Sequence, residues 1–400
     1  MGFKNFKKKD NKITFNVKNT DVSILNSIRR IILSDIPNVA FDFKPYDFQE
    51  KKINIIENTC SLHNEIILQR LSMIPLKFDE DEINNFEPNK YKFVLKKINN
   101  SSKMMDVTTE DIEIFDENDK KYNNKFIRKI FPKNKISGDF ILITKLKPNL
   151  FNKDNGDVLE INMIATKSTA KDYAGFGYVS QCVYFNVIDE KLADEELKKI
   201  LEKNKELPKK EIANLKNEFN TLDKYRHFRK NEYDEPNYFE FNIESESRVS
   251  PEFLVFKGML IIKNRIETIV ANLIDSKIKI DKVESDNDKT SSLESTNFYS
   301  FEIENEKHTL GNLIQSLFYN EFIRNGNKKI IEYIGYKSPH PLEEILILKI
   351  KFNEDIKENQ ISKVVIEGLV NIQTDMDDLI KKWIDISKLD KKIIEISEYI

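Results

Sequence analysis

The sequence predicts an α+β fold built from two similar strand-and-helix halves. Three observations predict it: one short segment recurs far along the chain, two long helices carry matching apolar stripes, and a β-rich stretch lies between the copies. The recurrence comes first. Phe15-Asn16-Val17-Lys18-Asn19 aligns with Phe301-Glu302-Ile303-Glu304-Asn305, an offset of 286 residues (301 less 15). It continues without a gap: Ser23 meets Thr309, Ile24 meets Leu310, Asn26 meets Asn312, Ile28 meets Ile314, Ile31 meets Leu317 and Ile32 meets Phe318.

Each copy opens with an alternation of apolar and polar residues (Ile13, Phe15, Val17; then Phe301, Ile303), the pattern of a half-buried strand. Thr20, Asp21 or Ser23 in the first copy and Thr309 in the second stand where a helix cap belongs. In the helix that follows, Ile24, Ile28, Ile31 and Ile32, or Leu310, Ile314, Leu317 and Phe318, fall on one face.

A long helix follows each copy further on. Ser250-Pro251 reads as a cap with proline at the first helical position. After it Val255, Met259, Ile262, Ile266, Ile269 and Leu273 recur in steps of four and three. Towards the C-terminus Ile361, Val365, Gly368, Ile372, Met376, Leu379, Trp383 and Ile386 do the same. Tandem arrays need three or more copies at short period. Two distant copies point instead to a pseudo-symmetric pair, whose helices pack across a pseudo-two-fold axis. Periodicity alone leaves open the alternative that each stripe serves only its own local core.

Between the copies, residues 39–55 read as a short strand region. Asn58-Thr59 caps a helix with Leu62, Ile66 and Leu71, stopped by Pro75. Residues 80–187 alternate polar loops with β-rich runs, and residues 189–230 turn to charged helical composition. Residues 281–296 are a polar linker. The expected domains are 1–55 with 232–280 as a discontinuous first pairing domain, 56–231 as an inserted, mostly β domain with a charged helical extension, 281–296 as the linker, and 297–400 as the second pairing domain.

The chain of 400 residues is long enough for two or three domains. Lys and Arg number 64 against 67 Asp and Glu, a formal net charge of −3, so no general basic excess for nucleic acid exists. Lys7-Lys8-Lys9 reads as a solvated tail. Two cysteines, Cys60 and Cys182, form no disulfide framework and suit an intracellular, soluble protein. No metal site is expected: Cys60 and His63 have C-x2-H spacing without a partner pair, and His227, His308 and His340 are scattered. Phosphate loops, nucleophile elbows and zinc-protease motifs are absent. Asp79 to Glu82 reads as solvated charge in a polar loop, and Asp375, Asp377 and Asp378 as an exposed helix face. Tyr173-Ala174-Gly175-Phe176-Gly177-Tyr178 reads as a turn between strands that packs on another protein, with base stacking as the lesser alternative. Neither a catalytic residue nor a cofactor is expected.

Two sets of residues carry a family resemblance. Asn19-Thr20-Asp21, Asn26 and Ile28-Arg29-Arg30-Ile31-Ile32-Leu33-Ser34-Asp35-Ile36-Pro37 resemble the first-helix signature of the bacterial RNA polymerase α subunit and of the third-largest subunit of RNA polymerase II. Asn58 to Glu65, Arg70 to Leu76, and Ala165-Thr166-Lys167 through Tyr178-Val179 continue that likeness. Glu304 to Leu313 and Gly335 to Glu343 are similar to the small partner, the eleventh subunit.

The resemblance implies two α-subunit-like halves, normally separate chains, joined as an intramolecular pseudo-dimer with an inserted β domain. It implies a non-catalytic platform for the largest and second-largest polymerase subunits, with a small tenth-subunit-like protein as a further partner. No direct membrane contact is expected, and nucleic acid is met only through the complex. Such joined chains occur in large cytoplasmic DNA viruses, which implies virion and host cytoplasm as locations. The zinc loop of many relatives cannot be built from two cysteines. The pairing core is expected from Ile24, Ile28, Ile31, Ile262, Ile266, Leu310, Ile314, Leu317, Ile372 and Leu379. Arg29 and Arg30, pointing off the pairing face, and Arg70 are expected to dock a large subunit. The alternatives are a stand-alone pairing or virion protein and an enzyme, although the sequence offers no site for the latter.

Overall fold

A computed structural model describes residues 2–42, 52–149, 156–283, 298–325, 330–353, 356–390 and 394. The chain opens with strands β1 (Gly2–Lys9) and β2 (Lys12–Lys18) and helix α1 (Val22–Ser34). It continues through β3 (Asn38–Ala40), β4 (Ile53–Asn58), α2 (Asn64–Ser72), α3 (Glu80–Asn84), β5 (Lys92–Ile98), β6 (Met105–Thr108) and β7 (Ile112–Phe115). Next come α4 (Asn124–Ile130), β8 (Leu142–Leu146), β9 (Val158–Ile164), β10 (Thr166–Ser168), β11 (Val179–Asn186), α5 (Glu190–Lys203) and α6 (Lys209–Thr221). The remainder is β12 (Tyr238–Ser245), α7 (Pro251–Ile274), β13 (Lys279–Lys282), β14 (Phe298–Glu304), α8 (His308–Phe318), β15 (Ile331–Lys337), β16 (Ile345–Phe352) and α9 (Glu358–Ser387). The expected linker lies outside the described residues beyond Val283; its first residues, Asp281 and Lys282, end β13.

The chain forms two compact units. One comprises residues 1–31, 182–243 and 255–389 and so holds both repeat copies. Its two four-stranded sheets have matching strand orders, β1-β2-β12-β11 and β13-β14-β16-β15, with the repeated strands β2 and β14 in second place. The match extends to single residues. Asn19 and Asn305, equivalent by the 286-residue offset, both adopt the left-handed conformation, at φ 55° and 62°. Asparagine tolerates that region better than most residues. The Asn19 N–H donates to the Asn237 carbonyl at 2.8 Å, and the Asn305 N–H to the Glu344 carbonyl at 2.7 Å. Each acceptor immediately precedes the next strand of its sheet, β12 or β16.

Lys7-Lys8-Lys9 is not a loose tail. These residues pair with Thr14, Ile13 and Lys12 as the end of β1. A bulge between Lys4 and Lys7, with Asn5 at φ 52°, breaks the alternation. Phe3 and Phe6, which would point to opposite faces of a regular strand, therefore both reach Trp383 of α9, at centroid distances of 5.1 and 5.8 Å. The sequence reading missed this because the two rings lack strand periodicity. The charged helices α5 and α6 also belong to this unit, entered through the Val187 N–H on the Tyr238 carbonyl and an Ile188–Phe228 bridge.

The other unit comprises residues 32–181, 244–254 and 390–400. Its main sheet, β4-β9-β5-β7, is antiparallel and buries Phe93, Leu95, Ile114, Leu159 and Ile161 completely. Two sequence expectations need correction here. The helix expected from Asn58-Thr59 begins at Asn64, because the Asn58 side chain holds a turn, donating to the Leu62 carbonyl at 3.0 Å and accepting from the Cys60 N–H at 3.0 Å. Ile67, not Ile66, then turns inward with Leu71. Asp79 to Glu82 is not a polar loop but the start of α3. Asp79 and Glu82 cap each other's backbone N–H groups, and Lys129 pairs with both carboxylates. Burial alone would raise the Asp79 carboxyl; its bonds to Lys129 and Glu82 hold it below its ordinary value.

Candidate functional site

The two repeat copies meet within the first unit. The apolar surface is large: Ile24, Ile28, Ile31, Ile262, Ile266, Leu310, Ile314, Ile372 and Leu379 are all at most 3% exposed. Leu317 is the exception. It is only half-buried, and Leu313 and Phe318 fill the inner face of α8. Small residues permit close approach of neighbours at two points. A Cβ on Gly311 would stand 2.6 Å from atoms of Leu346 and Tyr336, and one on Gly368 would stand 2.6 Å from Phe318.

Polar contacts stitch the two helices reciprocally. At the N-terminus of α1, one Asp21 oxygen caps the Ser23 N–H at 2.7 Å, and the other accepts from Ser316 Oγ at 2.9 Å and Asn320 Nδ2 at 2.8 Å. At the N-terminus of α8, Thr309 Oγ1 accepts from Arg30 Nε at 2.8 Å, and the Thr309 carbonyl accepts from Ser27 Oγ at 3.3 Å. Arg30 and Ser316 are equivalent by the 286-residue offset. The start of each helix therefore touches the same position of the other, as in an isologous interface. Thr309 was expected as a cap; it lies one residue inside α8 and serves this contact instead.

The longer helices add Lys263 of α7 to Asp377 of α9 at 2.8 Å, and Arg265 to Glu306 at 3.6 Å. Asp377 is thus paired across the seam, whereas Asp375 and Asp378 are exposed. Arg324 clasps Glu235 with two bonds of 2.6 and 2.7 Å while its guanidinium lies 4.5 Å from the Tyr233 ring. The Arg324 bonds hold the Glu235 carboxyl below its ordinary value. These groups line an amide-rich cleft of about 720 Å³ whose walls come from both halves. The polar contacts between the two copies, and those of Phe3 and Phe6 with Trp383, left no periodic signal in the sequence, because each joins side chains far apart in the chain.

The expected docking arginines fall in different settings. Arg30 is exposed, and its Nε donates to Thr309 Oγ1. Arg29 is half-buried, and its guanidinium is held by Asn26 Oδ1 at 2.9 and 3.1 Å. Its carbonyl faces Cys182, whose thiol burial pushes up to about 12 against the pull of the Arg29 charge. Arg70 is in the other unit, exposed, with one guanidinium nitrogen 2.6 Å from the Ile143 carbonyl. The Tyr173 to Tyr178 segment turns inward within that unit. Tyr173 bonds the Ser72 hydroxyl, Phe176 is 1% exposed, and the Tyr178 hydroxyl donates to the Pro37 carbonyl. Cys60 sits beside Asn58 and Thr144, and His63 precedes α2 on the surface. In the Pro339-His340-Pro341 turn, His340 Nδ1 accepts from the Leu342 N–H at 3.2 Å. No helix among the described residues is long and apolar enough to cross a membrane.

Comparisons with known proteins agree with this seam. The family described as the RNA polymerase Rpb3/Rpb11 dimerisation domain matches twice, over residues 14–266 and 299–382. The chain is 26% identical over 280 residues to DNA-directed RNA polymerase subunit Rpo3 of Pyrococcus furiosus, covering 66% of this chain and 94% of that one. It is 24% identical over 299 residues to subunit RPAC1 of RNA polymerases I and III from Saccharomyces cerevisiae, covering 63% and 82%. A shorter stretch of 80 residues is 38% identical to rpac1 of Dictyostelium discoideum, covering 20% of this chain and 21% of that one. With two matches that together span the paired strands and helices, the chain belongs to the RNA polymerase Rpb3/Rpb11 dimerisation-domain family.

Proposed function

We propose that this chain is a non-catalytic subunit of a DNA-directed RNA polymerase, the platform on which the two largest subunits assemble. The observation that carries this is the reciprocal seam: two dimerisation-domain matches in one chain, with Asp21 on Ser316 and Arg30 on Thr309. A polypeptide that supplies both sides of such a seam has paired before any other chain arrives. The tether makes that pairing intramolecular, with an effective concentration on the order of millimolar.

The finer reading is a third-largest subunit joined to an eleventh, through residues 281–296, as in large cytoplasmic DNA viruses, acting in the virion and host cytoplasm beside a tenth-subunit-like protein. In it residues 297–400 are the eleventh-subunit-like half, and the ten apolar residues expected from the sequence, together with Leu313, are the pairing core. Arg29, Arg30 and Arg70 dock large subunits, with Arg30 also bonding Thr309 at the seam. Co-purification from the native source tests this. Arg29→Glu and Arg70→Glu chains should stay folded yet lose at least about tenfold of the co-purified large subunits, in line with the roughly 2–5 kcal/mol cost of truncating a buried charge pair. Full recovery of those subunits by both variants would sink the docking assignment. A wild-type chain that brings down no polymerase subunit would sink the platform itself.

A further inference from the structure

The β1–β2 hairpin carries chemistry that pairing does not use. Residues 1–18 hold six lysines against one aspartate, a net charge of +5, so the remainder of this −3 chain stands at −8. Alternation puts Lys7 and Lys9 on one face of β1, and their cross-strand partners Thr14 and Lys12 share that face. It is the face opposite Ile13 and Phe15, which are 0% and 1% exposed. Lys7, Lys9 and Lys12 are all exposed. Lys9 stands directly across from Lys12, which brings two ammonium groups to one end of this face. Lys12 and Lys8 have other partners; Lys4, Lys7, Lys9 and Lys18 make no ion pair among the described residues.

We propose that this lysine face of the hairpin contacts the phosphate backbone of nucleic acid without reading its sequence. Three features select that ligand. The charges are ammonium groups, compact point charges suited to phosphate rather than to planar, bidentate recognition. The hairpin's own aromatic rings, Phe3 and Phe6, are spent on Trp383 and offer no platform for bases. Protein interfaces are depleted of lysine and need a buried apolar anchor, which this face lacks. The pinned hairpin also presents its charges already ordered, which lowers the cost of binding.

The test is fluorescence anisotropy of the full chain with a mixed-sequence duplex of about 25 base pairs, DNA and RNA in parallel, from about 50 to 200 mM KCl. The wild type should bind with a steep salt dependence. Lys7→Gln, Lys9→Gln and Lys12→Gln together should reduce the log–log slope by about 2.7, at about 0.9 per phosphate contact. Binding of either duplex supports the proposal and identifies the nucleic acid. Emission of Trp383, the single tryptophan, should not shift if the hairpin stays docked. If it shifts, each lysine is changed alone, and each should lower the slope by about 0.9. Absence of wild-type binding at about 50 mM salt overturns the proposal. So does an unchanged slope, or displacement of the duplex by polyglutamate of equal charge, which would mark an acidic protein as the partner. A triple variant that binds like wild type but aggregates would assign the lysines to protection of the strand edge instead.

Discussion

The two halves share a strand order and a helix position but spend their connections differently. Between its first helix and β15 the second half has only a π-helical turn, Tyr319–Arg324, and a short segment. Between α1 and β11 the first half accommodates an entire sheet, β4-β9-β5-β7, and between β11 and β12 the helices α5 and α6. The elements at the seam have stayed alike while the loops diverged. Loops tolerate insertion because they run over the surface, whereas a buried helix face must match its partner. The reciprocal contacts have diverged too, in chemistry rather than in place: Asp21 on Ser316 at one end, Arg30 on Thr309 at the other.

Removing the ring that joins the first half's hairpin to the second half's long helix should hurt most. Trp383 is 0% exposed and touches Phe3, Phe6 and Phe15, so Trp383→Ala should cost about 3–5 kcal/mol in urea denaturation. Loss below about 1 kcal/mol would mean that the two halves do not depend on each other here.

The two ends of the seam should then separate. Asp21→Ala removes a helix cap and leaves Ser316 and Asn320 without their acceptor, costing about 2 kcal/mol, whereas Thr309→Ala removes one acceptor and should cost about 1. Equal urea midpoints for the two variants would erase the asymmetry.

The smallest effect is a pH dependence confined to the second half. Burial raises the Glu321 carboxyl, helped by the charges of Asp375 and Glu367 and opposed by its bond from Asn371. The folded state therefore binds a proton more readily than the unfolded state does. This contribution is fully present below the ordinary glutamate value of about 4.3, and it is lost as pH rises through the elevated folded value. Glu321→Gln, which keeps an acceptor for Asn371, should raise the melting temperature at neutral pH and flatten its fall from pH 4 towards 7. A variant curve parallel to wild type would remove Glu321 as the cause.

Much of this was legible in the sequence. The fixed offset exposed the paired halves because strand alternation and the helical stripe survive where packing constrains them. Even the backbone conformation of Asn19 and Asn305 followed the alignment. The polar half of the seam was not legible. Arg30 is exposed as read, but its bond to Thr309 was hidden because periodicity gives a side chain's direction from its own helix, not what another helix places in its path. Phe3 and Phe6 were hidden by a bulge that abolishes the period they would have been recognised by. Helix α2 was misplaced because Asn58, a good cap residue, is used in a turn instead.

One consequence of the reciprocal seam concerns choice of mate. By the same offset, the position of Asp21 is Lys307 in the second half. Two second halves brought together would set Ser316 and Asn320 against Lys307, donors facing a cation with no carboxylate between them. Two first halves would forfeit the Ser316 and Asn320 donors but set Asp21 against Arg30, a carboxylate facing a guanidinium. The carboxylate that the second half's donors need is thus supplied by the first half alone. Seam chemistry therefore sets which half meets which, while the covalent tether, by raising the effective concentration, favours the mate in the same chain.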